Sequence, residues 1–154
     1  MCRAQPGVSP LLSDNKGYIL RHHILSASRL KSNTPGLMVA GPFWNFPLGR
    51  YRVDYYLRAR APHHTPTSTN DKMPLPPGDV CTLEVRDAGQ CVGDDDGVLC
   101  SRVLQPADFG AGNHWSRACC HFALTNPLNA LDMRVEWHGN ASLDIASLSI
   151  STAA

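Results

Sequence analysis

The sequence lacks any long apolar run, and it has no marked excess of charge of one sign. No stretch approaches the roughly 20 consecutive apolar residues that a membrane helix needs, so we expect no membrane insertion. The chain carries 14 basic and 13 acidic residues, which gives a formal net charge of +1 with the histidines neutral. The basic residues are also scattered along the chain. The composition therefore predicts no nucleic-acid partner and no anionic membrane surface as a partner.

Catalytic motifs are missing as well. A nucleophile elbow, a phosphate-binding loop and a dinucleotide fingerprint are all absent from the sequence. Two carboxylates from different strands still remain compatible with glycan hydrolysis, because a glycosidase needs them only about 5 to 10 Å apart. We therefore predict a non-catalytic protein, and we keep a small glycan-active enzyme as the weakest alternative.

The histidines do not form a metal-binding motif. The adjacent pairs His22-His23 and His63-His64 would place their rings on opposite faces of a strand, where they cannot chelate one ion together. Neither HExxH nor an HxH followed by Glu is present. We predict no metal and no cofactor. The remaining histidines are dispersed along the chain: His114, His121 and His138.

The six cysteines contain no CxxC pair, so the sequence indicates neither a zinc site nor a redox motif. Cys91 and Cys100 flank the glycine-bounded turn at residues 93 to 97, across which a disulfide between facing strand ends has suitable geometry. Free buried cysteines are the other interpretation. An even cysteine count is compatible with an oxidised extracellular protein, and we favour an extracellular or cell-surface location.

What is present is a chain of 154 residues, the size of one domain, with 43% hydrophobic residues. Twelve glycines and twelve prolines separate short apolar runs, which is typical of many short strands rather than long helices. We predict an irregular arm over residues 1–16 and one all-β domain over 17–152. The segment 61–79 contains five prolines and predicts a long loop inside that domain.

Alternation of apolar and polar residues identifies the strands. From Arg50 to Arg60 the odd-numbered positions are apolar or aromatic, and the even-numbered positions are mainly charged. Leu131 to His138 shows the same period of two, which places Trp137 in the apolar row. In the closing segment, Leu143 to Ile150, the apolar row changes phase by one residue, and this predicts a bulge near Ala146-Ser147. We predict a two-sheet antiparallel β-sandwich.

The order of several segments resembles the galactose-binding-like jelly rolls, which include many carbohydrate-binding modules. The segments that carry the resemblance are GPFWNFPLGRYRVDYYLRA, CTLEVRD, SRVLQPADF and LDMRVEWHGNASLDIASLSI. The resemblance covers residues 17 to 151 and implies the sandwich fold and a glycan ligand. Relatives with a structural calcium carry acidic residues in the first strand and after the closing Ile. This chain has Ala146 at the closing position, so the resemblance does not carry a calcium site over.

A sugar site needs an exposed aromatic ring for stacking and a few polar groups beside it. The resemblance implies that Trp115 is the stacking ring, since relatives often place an aromatic where the chain leaves a glycine-rich loop and enters a strand. The alternative is that Trp115 is a rim residue that covers the core. The other candidate ligands are Asn113, His114, His138, Trp44 and Asn140 in the Gly139-Asn140 turn.

Tyr56 and Arg58 face away from the apolar row of their strand. They would line a groove if that face of the sheet is concave, and otherwise they belong to a solvated face. We hypothesise a non-catalytic, lectin-like carbohydrate-binding module. The alternative is a structural or protein-interaction domain of the same fold, which would dock to its partner through its loop-rich edge or through the 61–79 loop.

Overall fold

The computed structural model describes residues 12–14, 17–19, 25–27, 34–61, 74–90, 97–110 and 114–153. These residues form eleven strands and two short 3-10 turns, at Ala88–Gln90 and Pro106–Phe109. The strands are β1 (Leu12–Asp14), β2 (Gly17–Ile19), β3 (Leu25–Ala27), β4 (Gly36–Val39), β5 (Pro42–Trp44), β6 (Gly49–Arg60), β7 (Cys81–Asp87), β8 (Val98–Leu104), β9 (Ser116–Leu124), β10 (Leu131–Trp137) and β11 (Ser142–Thr152).

The strands pair into two antiparallel sheets. Sheet A has the order β1-β2-β11-β6-β9, and β3 also pairs with β11. Sheet B has the order β4-β10-β7-β8, and β5 also pairs with β10. The predicted all-β, two-sheet antiparallel sandwich is therefore confirmed. Among the described ranges, no helix has the length and apolar character needed to span a bilayer.

The core lies between the apolar rows of the two sheets. In β6 the odd-numbered side chains from Tyr51 to Ala59 are buried, as the alternation predicts. In β10 the row from Leu131 to Trp137 is equally buried, and the indole N–H of Trp137 donates to the Ala141 carbonyl at 2.7 Å. Each aliphatic side chain sealed in this way contributes about 1.5–3 kcal/mol relative to exposure. The well-packed central strands therefore hold the side chains on their outer faces in fixed positions.

The predicted bulge is confirmed in β11. The pairing of β11 with β6 shifts register between Ile145 and Ser147, so that one extra residue, Ala146, is accommodated there. Leu148 and Ile150 then return to the core. The bulge leaves Ala146 and Ser147 half-buried and places Ser147 beside Tyr56.

The ends of several predicted segments differ from those in the structure. The region predicted as an irregular arm contributes β1, which pairs with β2. The predicted first strand is represented by β2 and β3. Strand β9 begins at Ser116, whereas the sequence pattern predicted a strand from His114. Several predictions fall outside the described residues: Asn113, Cys91, the two adjacent histidine pairs and residues 62–73 of the 61–79 loop.

Candidate functional site

The outward side of sheet A carries the polar rows of the neighbouring strands β11, β6 and β9. We call this surface the outer face of sheet A and define it by the outward residues of β6, β9 and β11 together with Trp115, which immediately precedes β9. Antiparallel pairing sets Tyr56 between Arg117 of β9 and Ser147 of β11, and it sets Arg58 beside Asp144. The surface consists of Arg50, Arg52, Asp54, Tyr56, Arg58, Arg60, Trp115, Arg117, Cys119, His121, Ala123, Ser142, Asp144, Ala146, Ser147, Ser149 and Ser151.

Trp115 lies on this face immediately before β9, and 41% of its surface is exposed. The guanidinium carbon of Arg58 lies 4.6 Å from the centroid of the indole ring, which is a cation–π contact. Arg58 is itself held by Asp144, because its Nη2 lies 2.9 Å from Asp144 Oδ2. The indole is therefore positioned by a side chain that has its own fixed partner.

Asp144 is the buried centre of this arrangement, with 1% of its surface exposed. Its Oδ2 accepts hydrogen bonds from Nε of Arg58 at 2.9 Å and from Nε of Arg60 at 2.8 Å. Its Oδ1 accepts a further bond from Nη2 of Arg60 at 3.0 Å. Charge-assisted bonds of this kind are stronger than neutral ones and fix the geometry of the guanidinium. One carboxylate thus orients two arginines.

A cavity of about 430 Å³ opens next to the indole and is lined by Tyr56, Trp115, Ala146 and Ser147. Its volume falls within the range of about 300–1,000 Å³ that is typical of small-molecule sites. Two of the four residues are aromatic, and Tyr56 is 38% exposed. The β11 bulge supplies the other two. The cavity therefore joins aromatic surface to a serine of the neighbouring strand.

Arg117 and Asp54 lie on the other side of Tyr56. The Arg117 side chain is 54% exposed, and its Nε lies 3.8 Å from Asp54 Oδ1. A hydrogen bond with Tyr56, together with the charge of Asp54, raises the pKa of the Arg117 guanidinium above its ordinary value. Asp54 is buried and accepts a bond from Nε of Arg52 at 3.0 Å, whereas its Oδ1 has no hydrogen-bond partner among the described residues.

The other predicted ligands lie elsewhere. His138 directly follows β10 of sheet B, where its Nε2 lies 2.7 Å from Thr82 Oγ1. The Asn140 side-chain amide donates to the Asp79 carbonyl at 2.7 Å, so it joins two loops beside sheet B.

Trp44 is 47% exposed but lies at the opposite end of the sandwich from Trp115. It pairs with Leu131, and its neighbour Asn45 donates to the Pro127 carbonyl in the loop that follows β9. Trp115 immediately precedes β9, and nine strand residues of about 3.3 Å each separate the two ends. The structure therefore does not bring Trp44 and Trp115 together.

Of the predicted set, His114 and Trp115 remain neighbours, and both are exposed. The structure adds Tyr56 and Arg58, which the sequence placed on an outward face, and it brings them to Trp115. Arg117, Asp144 and Ser147 were not predicted as site residues. The alternation that places Arg117 and Asp144 outward was readable in the sequence, but which outward rows become neighbours depends on strand order and register.

The cysteines and acidic residues give no further reactive centre that the structure describes. Cys81, Cys100, Cys119 and Cys120 are free thiols, and the proposed partner Cys91 lies outside the described residues. Burial raises the pKa of the Cys81 and Cys120 thiols to about 12, so both stay protonated at neutral pH. Within the described ranges, no group of three or more His, Cys, Asp or Glu side chains is placed to hold a metal.

No protein-family model and no curated protein matches this chain. Solved structures with a similar arrangement do exist. The carbohydrate binding module CBM6cm-2 of Cellvibrio mixtus lichenase 5A, in complex with cellotriose, is 14% identical at a TM-score of 0.43, over 98% of this chain and 91% of that one. The C-terminal CBM6 of LamC from Zobellia galactanivorans is 17% identical at a TM-score of 0.40, over 90% of this chain and 75% of that one.

A third similar structure is larger than this chain. It contains the CBM22-1 and GH10 modules of Clostridium thermocellum xylanase 10B, complexed with xylohexaose. It is 9% identical at a TM-score of 0.40, and the match covers 73% of this chain but only 18% of that one. At such identities and TM-scores these likenesses assign no ligand to this chain. Its own fold and surface define a two-sheet β-sandwich with an exposed aromatic and arginine-rich face.

Proposed function

We propose that this chain is a non-catalytic glycan-binding module whose binding site is the cavity between Trp115 and Tyr56. The observation that carries the proposal is an exposed indole, held in place by Arg58, beside an exposed phenol at an open cavity. Sugars present apolar C–H faces that pack on aromatic rings, and their hydroxyls need hydrogen-bonding partners nearby. Ser147 and Arg117 provide such partners next to the rings.

The polar groups of the face support binding rather than hydrolysis. A glycosidase needs one carboxylic acid that holds a proton to give to the leaving oxygen, and a second carboxylate placed across the bond. Asp144 and Asp54 are each engaged by arginine side chains. Neither is arranged as a proton donor. We place the module outside the cell or on its surface, where polysaccharides are available.

The proposed site contains Trp115 and His114 from the sequence prediction, together with Tyr56, Ser147 and Arg117. Trp44 stands about the length of β9 away and is left outside the site. His138 and Asn140 are also left outside it, since their side chains bond to Thr82 and Asp79 beside sheet B.

The two exposed tryptophans give a matched pair of variants for testing the proposal. Affinity electrophoresis of Trp115→Ala and Trp44→Ala through gels that contain a panel of plant, algal and bacterial polysaccharides measures the effect on binding. We expect Trp115→Ala to weaken binding about tenfold, equivalent to about 1.4 kcal/mol of lost stacking, and Trp44→Ala to leave it unchanged.

Thermal unfolding of both variants shows whether the fold is kept. Binding that survives Trp115→Ala, or a wild-type protein that binds no polysaccharide of the panel, would contradict the proposal.

The alternative, a protein-interaction domain, is favoured by apolar side chains at the Trp44 end. Trp44, Leu48 and Leu128 are 47%, 55% and 81% exposed, and Asn45 ties the two loops that carry them. A domain of this kind would give no retardation with any polysaccharide, and Leu128→Asp would abolish its association with a partner protein. The glycan proposal predicts that Leu128→Asp binds polysaccharide like the wild type.

A further inference from the structure

The outer face of sheet A is strongly basic although the whole chain is nearly neutral. Its described residues include five arginines, no lysine and two aspartates, whereas the formal net charge of the full chain is only +1. The arginines are Arg50, Arg52, Arg58, Arg60 and Arg117. A surface of this composition attracts anions, since the arginines outnumber the carboxylates that they surround.

The charges are grouped on both sides of the aromatic cavity. Asp144 is shared by Arg58 and Arg60, and Asp54 is shared by Arg52 and Arg117. Among the residues that the structure describes, each group therefore has two guanidiniums for one carboxylate. Asp54 and Arg58 are each two residues from Tyr56 on the same face of β6, a separation of about 7 Å. A ligand that rests on Trp115 and Tyr56 consequently has a positive group on either side.

Arg117 is the cation best placed to meet such a ligand. Its side chain is 54% exposed, and it lies directly opposite Tyr56 in the pairing of β6 with β9, next to the cavity that Tyr56 lines. Arg60, in contrast, is buried against Asp144. A guanidinium presents parallel N–H donors that match the two oxygens of a carboxylate or a sulfate.

We infer that the ligand of this face is an anionic glycan, whose sugar ring rests on Trp115 and Tyr56 while its carboxylate or sulfate group binds Arg117. The inference rests on the proposed function and deepens it by naming the class of glycan. Uronic-acid polysaccharides and sulfated polysaccharides share the required chemistry. The two sources are distinguished by testing each of them.

The test compares charged polymers with neutral twins of the same backbone. Polygalacturonate is paired with its carboxyl-reduced galactan, and a sulfated galactan is paired with its desulfated form. Binding of the intact protein is measured by isothermal titration at fixed ionic strength. We expect at least tenfold tighter binding to the charged member of one pair, and the pair that shows it identifies the acid group.

Two arginine variants separate a specific contact from general attraction of a polyanion. Arg117→Gln should weaken binding of the charged polymer at least tenfold and weaken binding of its neutral twin much less, so that most of the preference for the charged polymer is lost. Arg102→Gln is the matched control, because it removes one charge from a side chain that is 45% exposed on β8 of sheet B. We expect Arg102→Gln to bind like the wild type.

Three outcomes would overturn the inference. Equal affinity for the charged polymer and its neutral twin would refute the anionic preference and leave glycan binding intact. Equal losses from Arg117→Gln and Arg102→Gln would show that the attraction is not located at this face. Absence of binding to both members of both pairs would refute the anionic-glycan inference, and the wider polysaccharide panel then decides the proposed function separately.

Discussion

Arg58 contacts Trp115 and Asp144 at the same time: its guanidinium carbon is 4.6 Å from the indole centroid, and its Nη2 is 2.9 Å from the Asp144 carboxylate. The buried aspartate therefore orients the arginine, and the arginine orients the exposed ring. A ring held in this way has lost much of its rotational freedom before any ligand arrives. Such preorganisation reduces the entropy that binding must otherwise overcome.

Asp144→Asn should destabilise the fold, because it removes the negative charge to which Arg58 and the buried Arg60 both bond. Breaking one partner of a buried ion pair costs about 3–5 kcal/mol. We expect a loss of about 3 kcal/mol in the free energy of unfolding measured by urea denaturation. Glu136→Gln, at an exposed position of β10, is the control and should change stability by less than about 0.5 kcal/mol. A loss at Asp144 as small as that of the control would show that the carboxylate does not hold the two arginines.

The buried carboxyl group of Asp132 should make the free energy of unfolding depend on pH. Asp132 is 4% exposed, and burial raises the pKa of its carboxyl, although the Gly41 N–H bond at 2.8 Å and the nearby Arg134 and Arg86 act in the lowering direction. The folded protein therefore binds this proton more readily than the unfolded chain does. Its contribution to the free energy of unfolding falls as pH rises from the ordinary aspartate value of about 3.9 through the raised value.

Asp132→Asn removes this titration and keeps an oxygen that accepts the Gly41 N–H. We expect the difference in free energy of unfolding, Asp132→Asn minus wild type, to be more positive at pH 7 than at pH 3. Urea denaturation of both proteins at the two pH values measures the difference. A relative stability that stays constant, or that changes in the opposite direction, would refute the assignment of the raised pKa to burial.

The sequence predicted the strands of the sandwich better than it predicted the site. Alternation in β6 and β10 follows from burial of one face, and the bulge near Ala146 shows as a change of phase, so both are local properties that the residues reveal. The cavity depends on Tyr56 of β6, Ser147 of β11 and Trp115, just before β9, becoming neighbours. Strand order and register create that contact, and neither can be derived from local alternation.

The position of Trp44 relative to Trp115 likewise could not be predicted from the sequence. The indole ring of Trp44 is of the kind that stacks against sugars, and it is slightly more exposed than Trp115. Its place at the other end follows from the pairing of β5 with the start of β10, a contact between segments far apart in sequence. Exposure of an aromatic can thus be anticipated from its place beside a turn, whereas its distance from another aromatic cannot.

Gly97 fixes the start of β8 and provides the last prediction. Its φ is +66°, a left-handed value, and a Cβ added there would lie 2.2 Å from the Asp87 carbonyl oxygen. That carbonyl cannot easily move away, because the buried Asp87 side chain accepts bonds from the Gly89 and Ala130 N–H groups, both at 2.9 Å. Gly97→Ala therefore combines an unfavourable backbone conformation with a steric clash.

Gly110 is the control, because its φ is +62° but no described atom lies within 4 Å of the added Cβ. Gly110→Ala should cost only the backbone term, about 1–3 kcal/mol, because a φ of 62° with a ψ of −130° is unfavourable for a residue with a Cβ. We expect Gly97→Ala to cost about 3 kcal/mol or more in urea denaturation, with the excess over Gly110→Ala reporting the clash. Equal losses in the two variants would mean that the Asp87 turn yields to the added methyl group, and that the hydrogen bonds of its carboxylate do not hold the backbone there.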